Sequence, residues 1–126
     1  MTAVDISQTS LNVSKSIISH FYPSKNISFI NKDMLNLSMD FNFDFIVMGE
    51  VIEHVEDPKL LLVKISKLLS KSGRAFLSTC VNCPAIDHVY HFHTVEEIRS
   101  MFKECGLAIE SEKVLPVEDI SMTEII

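Results

Sequence analysis

The sequence has few of the residues that mark several classes of protein. Its 126 residues include no tryptophan, three glycines and three cysteines. An odd, small number of cysteines does not fit the disulfide framework of a small secreted domain, so we expect free thiols. No apolar run is long enough to cross a bilayer, and Asp5 interrupts any signal-peptide core after Met1. These absences favour a cytoplasmic protein without a membrane segment.

The charge balance limits the kind of partner. Acidic residues number 17 and basic residues 11, for a formal net charge of −6. Broad nucleic-acid binding needs a basic stripe, so this balance disfavours nucleic acid and favours a small-molecule substrate. Hydrophobic residues make up 47% of the chain, which is enough for one modest core. Residues 1–126 are therefore expected to form a single domain.

Short apolar runs alternate with helical patterns along the chain. Helices are predicted where a capping residue precedes an apolar stripe, after Ser7, Asp57 and Thr94. Gly73 is predicted to cap the C-terminus of the second helix, and Gly106 is predicted to end the third. Strands are predicted at Ala3–Asp5, Ile27–Ile30, Phe45–Met48, Ala75–Thr79 and Leu107–Leu115. This order indicates an α/β fold with a mostly parallel sheet, whose ligands bind at the carboxyl ends of the strands.

Acidic residues follow the first two predicted strands. Asp5 ends the first strand, and its carboxylate can accept both ribose hydroxyls of a nucleoside. Asp33 follows the second strand and can accept a hydrogen bond from an adenine amino group, while Met34 can pack on the ring. The alternative is that both aspartates are polar loop or capping residues. The equivalent placement of Asp5 and Asp33 favours the ligand.

Glu50, Glu53 and His54 follow the strand Phe45–Met48. On a helical turn the spacing Glu-x-x-Glu-His brings the three side chains near one face. Two carboxylates and an imidazole can bind a divalent metal such as Mg²⁺, or hold a protonated amine. His54 can also serve as a base. The alternative is a packed histidine beside two solvated glutamates.

The loop after Ala75–Thr79 carries further candidates. His88, His91 and His93 each have the chemistry to deprotonate a substrate hydroxyl or to complete a metal shell, and the alternative is that they only order the loop. Cys80 and Cys83 form a lone C-x-x-C pair. Zinc would need further ligands at suitable spacing, and a redox pair would open a helix. The better interpretation is that Cys80 and Cys83 are two small residues near the end of a strand, without a metal or redox role.

Four segments in order resemble class I S-adenosylmethionine-dependent methyltransferases. They are VDIS at Val4–Ser7, Asp33-Met34, FDFIVMGEVIEHVEDP at Phe43–Pro58, and GRAFLSTCVN at Gly73–Asn82. The resemblance covers Val4 to about Pro116 and is most specific in EVIEHVEDP. It implies a Rossmann-like sheet with helices on both faces and methyl transfer from S-adenosylmethionine.

The resemblance also implies roles for individual residues. Asp5 and Ile6 would contact the ribose and adenine, Asp33 and Met34 the adenine, and Met48, Gly49 and Glu50 the methionine part of the cofactor. The subgroups that look most similar are ubiquinone-biosynthesis O-methyltransferases and small-RNA 2′-O-methyltransferases, in which a Glu-x-x-Glu-His segment is associated with a metal. This implies an oxygen acceptor, with metal-dependent RNA methylation as one alternative, and it strengthens the hypothesis of metal ligands at Glu50, Glu53 and His54. A base, for which His54, His88 and His91 are the candidates, is needed only if the acceptor must lose its proton.

One departure from the family pattern concerns its glycine-rich loop. The family has a strand and this loop before the strand that ends at Asp5, whereas the glycines here are Gly49, Gly73 and Gly106. We therefore expect a truncated methyltransferase domain that lacks the first strand and the last hairpin strand. Such a chain would bind S-adenosylmethionine poorly alone. A second alternative is a non-catalytic remnant, or a subunit that needs a homo-oligomer or another segment to complete its sheet.

Overall fold

The computed structural model describes residues 1–116, which form four strands and three α-helices. The strands are β1 (Thr2–Asp5), β2 (Ser28–Asn31), β3 (Phe43–Gly49) and β4 (Leu69–Ser78). The helices are α1 (Gln8–Phe21), α2 (Pro58–Leu68) and α3 (Val95–Glu104), with short 3-10 turns at Met34–Asn36 and Ile52–His54. The α/β class is thus confirmed. The tail from Glu118, for which the sequence predicts no element, lies outside the described residues.

Local capping explains where the three helices begin. The Ser7 hydroxyl accepts a hydrogen bond from the backbone N–H of Ser10. The Asp57 carboxylate accepts from the first turn of α2, and Pro58 occupies the position where a missing N–H costs least. The Thr94 hydroxyl accepts from the N–H of Glu97. Each helix start predicted from these residues is confirmed.

The strands form two separate parallel pairs. β1 pairs with β2, with Asp5 opposite Asn31, and β3 pairs with β4, with Gly49 opposite Ser78. Within residues 1–116 no ladder joins β1 to β3. In both pairs the carboxyl ends coincide, so the residues that follow the strands are brought together in two groups.

The main core lies on one face of the β3–β4 pair. Its fully buried side chains include Ile52, Leu61, Leu62 and Ile65. We expected helices on both faces of the sheet. In the described part of the chain, α2 contributes most of the buried side chains that cover this one face. The opposite face carries the exposed side chains Phe45, Val47 and Phe76. No helix of residues 1–116 is long and apolar enough to cross a membrane.

Two sequence predictions are wrong in this region. Leu107–Leu115 forms no strand. Its alternation fits a sheet edge, but its backbone pairs with no strand of residues 1–116, and the side chains of Glu110 and Glu112 form ion pairs with Arg74 and Arg99. Gly73 does not cap α2, which ends at Leu68 with an extended Leu69 after it.

Gly73 lies inside β4, beside the register shift near Phe43. A Cβ atom at Gly73 would lie 2.8 Å from the carbonyl oxygen of Phe43 and 3.0 Å from the backbone nitrogen of Ser70. Glycine is therefore required at this position by the close approach of two backbones. Gly106 does end α3 as predicted, with a φ of +79°.

Candidate functional site

The carboxyl ends of β1 and β2 form the first half of the site. The side-chain amide of Asn31 donates hydrogen bonds to the carbonyl oxygens of Asp5 (3.1 Å) and Ile6 (2.8 Å). The Asp5 carboxylate accepts a hydrogen bond of 2.7 Å from the backbone N–H of Ser7 through Oδ1. A carboxylate has about four lone-pair positions, so Asp5 keeps the capacity to accept two ligand hydroxyls.

Asp33 and Met34 lie just beyond β2. The Asp33 carboxylate accepts a hydrogen bond from the N–H of Leu35 at 2.9 Å and so caps a 3-10 turn. Met34 is half-buried and packs against the main core. The Ile6 side chain is 75% exposed and is therefore accessible to a ligand. The structure assigns Asp33 and Met34 a structural task in addition to any contact with adenine.

The end of β3 forms the second half of the site. Met48 is buried, and Gly49 approaches Ser78 so closely that a Cβ would lie 3.2 Å from the Ser78 hydroxyl. Glu50 has a φ of +51°, in the left-handed region that non-glycine residues rarely adopt. Its N–H donates to the Ser78 carbonyl at 3.0 Å, and its carboxylate accepts from the Ser78 hydroxyl at 2.9 Å. Strained backbone of this kind clusters at functional sites.

Glu53 is the one charged residue buried in the described part of the chain, with 1% of its surface exposed. Its Oε2 accepts a hydrogen bond from the Thr79 hydroxyl at 3.1 Å, and its Oε1 is buried without a partner among residues 1–116. Burial is the largest cause that raises the pKa of the Glu53 carboxyl, and the neighbouring Glu50 carboxyl raises it further. A buried acid with one unpartnered oxygen needs a proton, a cation or a ligand donor.

Cys80 lies directly beside this buried acid. Burial, followed by a hydrogen bond with the Cys83 thiol, raises the pKa of Cys80 to about 11. Its sulfur lies 4.0 Å from Nδ1 of His88. The two cysteines differ in access, because Cys80 is half-buried and Cys83 is exposed.

The predicted catalytic histidines are placed around His88. The ring of His54 packs edge-on against it with centroids 5.0 Å apart, and the ring of His91 lies 6.4 Å away. Nδ1 of His54 is 2.9 Å from the carbonyl oxygen of Asp87. His93 has a different task, because its N–H donates to Glu97 at the start of α3. The structure therefore brings His54, His88 and His91 together.

The predicted metal ligands converge only in part. Glu50, Glu53 and His54 do not place ligand atoms all within 4.8 Å of one another. Two other groups of described residues do so: Glu53 with Cys80 and His88, and His54 with Asp87 and His88. The His54 ring turns toward Asp87, so the side chains of Glu50, Glu53 and His54, as positioned here, do not converge on one ion. A metal bound by these three residues stays a prediction.

Sequence reasoning missed four residues that position this site. Asn31, Ser78 and Thr79 hold the acidic residues through side-chain hydrogen bonds, and Asp87 contacts His54. A usable signal existed for the first three, since each lies at the carboxyl end of a strand. Asp87 lies in an irregular loop, where no periodic pattern identifies it.

Comparison with known proteins places the chain in a family. The family model described as "Methyltransferase domain" matches residues 1–120. The mitochondrial ubiquinone biosynthesis O-methyltransferase of Dictyostelium discoideum is 35% identical over 75 residues, which are 60% of this chain and 19% of that protein.

Solved structures show the same fold. N-methyltransferase NodS from Bradyrhizobium japonicum WM9, in complex with S-adenosyl-L-homocysteine, matches with a TM-score of 0.66 and 20% identity, over 82% of this chain and 52% of that one. The pyocyanin biosynthetic protein PhzM matches with a TM-score of 0.66 and 19% identity, over 87% of this chain and 38% of that one. The chain thus spans about half, or less, of these relatives. By its family match and its Rossmann-like fold, it belongs to the class I S-adenosylmethionine-dependent methyltransferases.

Proposed function

We propose that this protein takes part in methyl transfer from S-adenosylmethionine to an oxygen of a small-molecule acceptor. The observation that carries the proposal is the placement of Asp5, Asp33 and Glu50, each at or just beyond the carboxyl end of a parallel strand. Ligands of open α/β sheets bind at this edge. A relative named as an O-methyltransferase and the acidic net charge of −6 support the finer choice of acceptor.

The residues at the first half of the site fit a nucleoside. Asp5 would accept the ribose hydroxyls, with its position fixed by the Asn31 amide. The exposed Ile6 and the half-buried Met34 would cover the adenine, and Asp33 would accept from its amino group. Met48, Gly49 and Glu50 would border the amino-acid end. When bound, the cofactor supplies an activated methyl on a sulfonium, so the protein mainly aligns the acceptor and excludes water.

The acceptor would enter between the loops that follow β3 and β4. His54, His88 and His91 line this region, and an imidazole within hydrogen-bond reach of an acceptor hydroxyl can take up its proton. His54 and His91 are exposed and therefore the more accessible to an acceptor, whereas His88 is half-buried between them. A hydroxyl acceptor needs such a base, whereas an amine acceptor that is already neutral does not.

A second candidate function is that of a subunit completed by a partner. The separation of the described strands into β1–β2 and β3–β4 pairs favours it, because the two pairs carry the two halves of the cofactor site. Metal-dependent RNA methylation, the third possibility raised by the sequence, would require Mg²⁺ on Glu50, Glu53 and His54. It has less support, because these side chains do not converge.

The test is transfer of a labelled methyl by the longest protein that the reading frame encodes. Phenolic small molecules and a small RNA duplex serve as acceptors, and Asp5→Ala is compared with Asp40→Ala at an exposed site outside the cluster. We expect the labelled methyl group on the small molecules. The KM for S-adenosylmethionine should rise in Asp5→Ala and stay unchanged in Asp40→Ala. Label on the RNA would support the third possibility. No transfer and no cofactor binding would refute the proposal.

A further inference from the structure

The strongest unassigned feature is a mixed cluster of a carboxylate, a thiol and an imidazole. Ligand atoms of Glu53, Cys80 and His88 all lie within 4.8 Å of one another. Glu53 is 1% exposed and its Oε1 has no partner among the described residues, while Cys80 and His88 are half-buried. A fully buried acceptor without a donor is costly, so this oxygen favours either a proton on the carboxyl group or a bound cation.

Backbone contacts hold the three residues in place. The carbonyl oxygen of Glu53 accepts hydrogen bonds from the N–H groups of Val89 (2.9 Å) and Tyr90 (3.0 Å), which fixes the loop that carries His88. The Thr79 hydroxyl donates to Oε2 of Glu53, which fixes the end of β4 next to Cys80. The cluster is therefore assembled by ordered contacts between three segments and does not depend on chance proximity of exposed side chains.

We propose that Glu53, Cys80 and His88 form a binding site for a zinc-like divalent metal. Thiolate, imidazole and carboxylate together select zinc over magnesium, which prefers an all-oxygen shell. In a tetrahedral zinc site a sulfur and a nitrogen ligand lie about 3.5 Å apart. Cys80 and His88 are 4.0 Å apart, so binding would need a closure of roughly half an ångström. Three protein ligands leave the fourth position for water or another ligand.

The second group of His54, Asp87 and His88 is the weaker candidate. Both His54 and Asp87 are exposed, and Nδ1 of His54 already lies 2.9 Å from the carbonyl oxygen of Asp87. It also shares His88 with the proposed site, so the two groups cannot both use the same ring nitrogen. The buried, unpartnered oxygen of Glu53 decides in favour of the Glu53–Cys80–His88 site.

The test uses Co²⁺ as a spectroscopic substitute for zinc. The purified, reduced full chain is titrated with Co²⁺ alone and then with Zn²⁺. We expect a thiolate-to-cobalt band in the near ultraviolet, together with the visible bands of four-coordinate cobalt, and their loss when zinc is added. Millimolar Mg²⁺ should not remove the bands. This readout does not depend on methyl transfer, so the site and the proposed function can fail separately.

Matched cysteine variants identify the sulfur ligand. Cys80→Ser should lose the near-ultraviolet band, and Cys83→Ser, which changes the exposed partner of the same pair, should keep it. Glu53→Gln and His88→Ala should weaken Co²⁺ binding by at least about tenfold, since even changes behind the ligands cost ~10–100-fold. Far-ultraviolet circular dichroism checks that each variant is folded. If Cys80→Ser does not fold, Cys80→Ala is used in its place. No thiolate band in the wild type, loss of the band in Cys83→Ser, or displacement of cobalt by Mg²⁺ would each overturn the proposal.

Discussion

Replacement of Gly73 by alanine gives the sharpest stability prediction. The added Cβ would lie 2.8 Å from the Phe43 carbonyl oxygen, and 3.0 Å and 3.1 Å from the backbone nitrogen and oxygen of Ser70. All three atoms belong to the backbone and cannot rotate away. The start of the β3–β4 pair must therefore open to admit one methyl group.

The expected size follows from two opposing effects. Overpacking of this kind costs about 1–3 kcal/mol. Loss of glycine from the unfolded chain recovers about 0.4–1 kcal/mol. We therefore expect Gly73→Ala to lower the free energy of unfolding by about 1.3 kcal/mol, which is the difference between the middles of the two ranges. Urea unfolding followed by circular dichroism measures it, with Ser72→Ala as the control at the preceding, exposed position of β4.

Asparagine variants separate this steric reason from a helix-capping role. Asparagine tolerates the left-handed conformation of a helix cap better than alanine does, but its Cβ occupies the same place. Gly106, with a φ of +79°, should accept asparagine more readily than alanine. Gly73 should show no such preference. A Gly73→Ala variant as stable as the wild type, or a clear rescue by Gly73→Asn, would refute the steric argument.

Three further predictions concern the core, the α3 cap and the cofactor. Leu62 is fully buried, so Leu62→Ala should cost about 2–5 kcal/mol in urea unfolding, against less than about 0.5 kcal/mol for the exposed Leu60→Ala. A hydrogen bond from the N–H of His93 is the largest cause that lowers the pKa of Glu97. The stability that the ionised Glu97 contributes is therefore present above the ordinary carboxyl range, and it is lost as the pH falls through the lowered pKa. Glu97→Gln should therefore lose about 1 kcal/mol at pH 7 and show a flatter decline below pH ~5 than the wild type; parallel pH profiles would contradict this. Calorimetry with S-adenosylhomocysteine should show binding weaker than low micromolar, because no ladder of the described residues joins the strand pairs that carry the two halves of the site, and tighter binding would refute the expectation.

Features with a local cause could be predicted from the sequence. Each helix start depends on one side chain and the N–H groups that follow it, as Ser7 and Asp57 show. The order of strands and helices from β1 to α3 followed from the spacing of apolar residues. Gly106 is the same kind of case, since its positive φ is a property of one residue at a helix end.

Features with a tertiary cause could not be predicted in this way. Gly73 matches a helix-ending signal, but what it meets is the carbonyl of Phe43 on another strand. The alternation of Leu107–Leu115 matches a strand, but its backbone finds no sheet neighbour in the described structure, and Arg74 takes one of its acidic side chains. Both errors arose because the decisive partner is distant in sequence.

The cluster at Cys80 shows the same limit in the chemistry of the site. By sequence spacing, the C-x-x-C pair lacks further metal ligands, so the sequence predicts a metal site at Glu50, Glu53 and His54 instead. Folding changes the grouping, because the hydrogen bonds of Val89 and Tyr90 to the Glu53 carbonyl bring the His88 loop over the end of β4. Ligand sets assembled from three segments are visible only once those contacts are known.

Met34 links the two halves of the site. It follows β2, where it is expected to meet the adenine, and it packs against the core that supports β3 and β4. Leu37, at the end of the same 3-10 turn, is also buried. Since no strand ladder joins the two pairs within residues 1–116, this turn provides one of the packing connections through which order at the Asp5 end can reach Glu50. A ligand that contacts both the Asp5 end and the Glu50 end would therefore have to order the two strand pairs relative to each other. The free energy of this ordering would weaken the binding of the ligand.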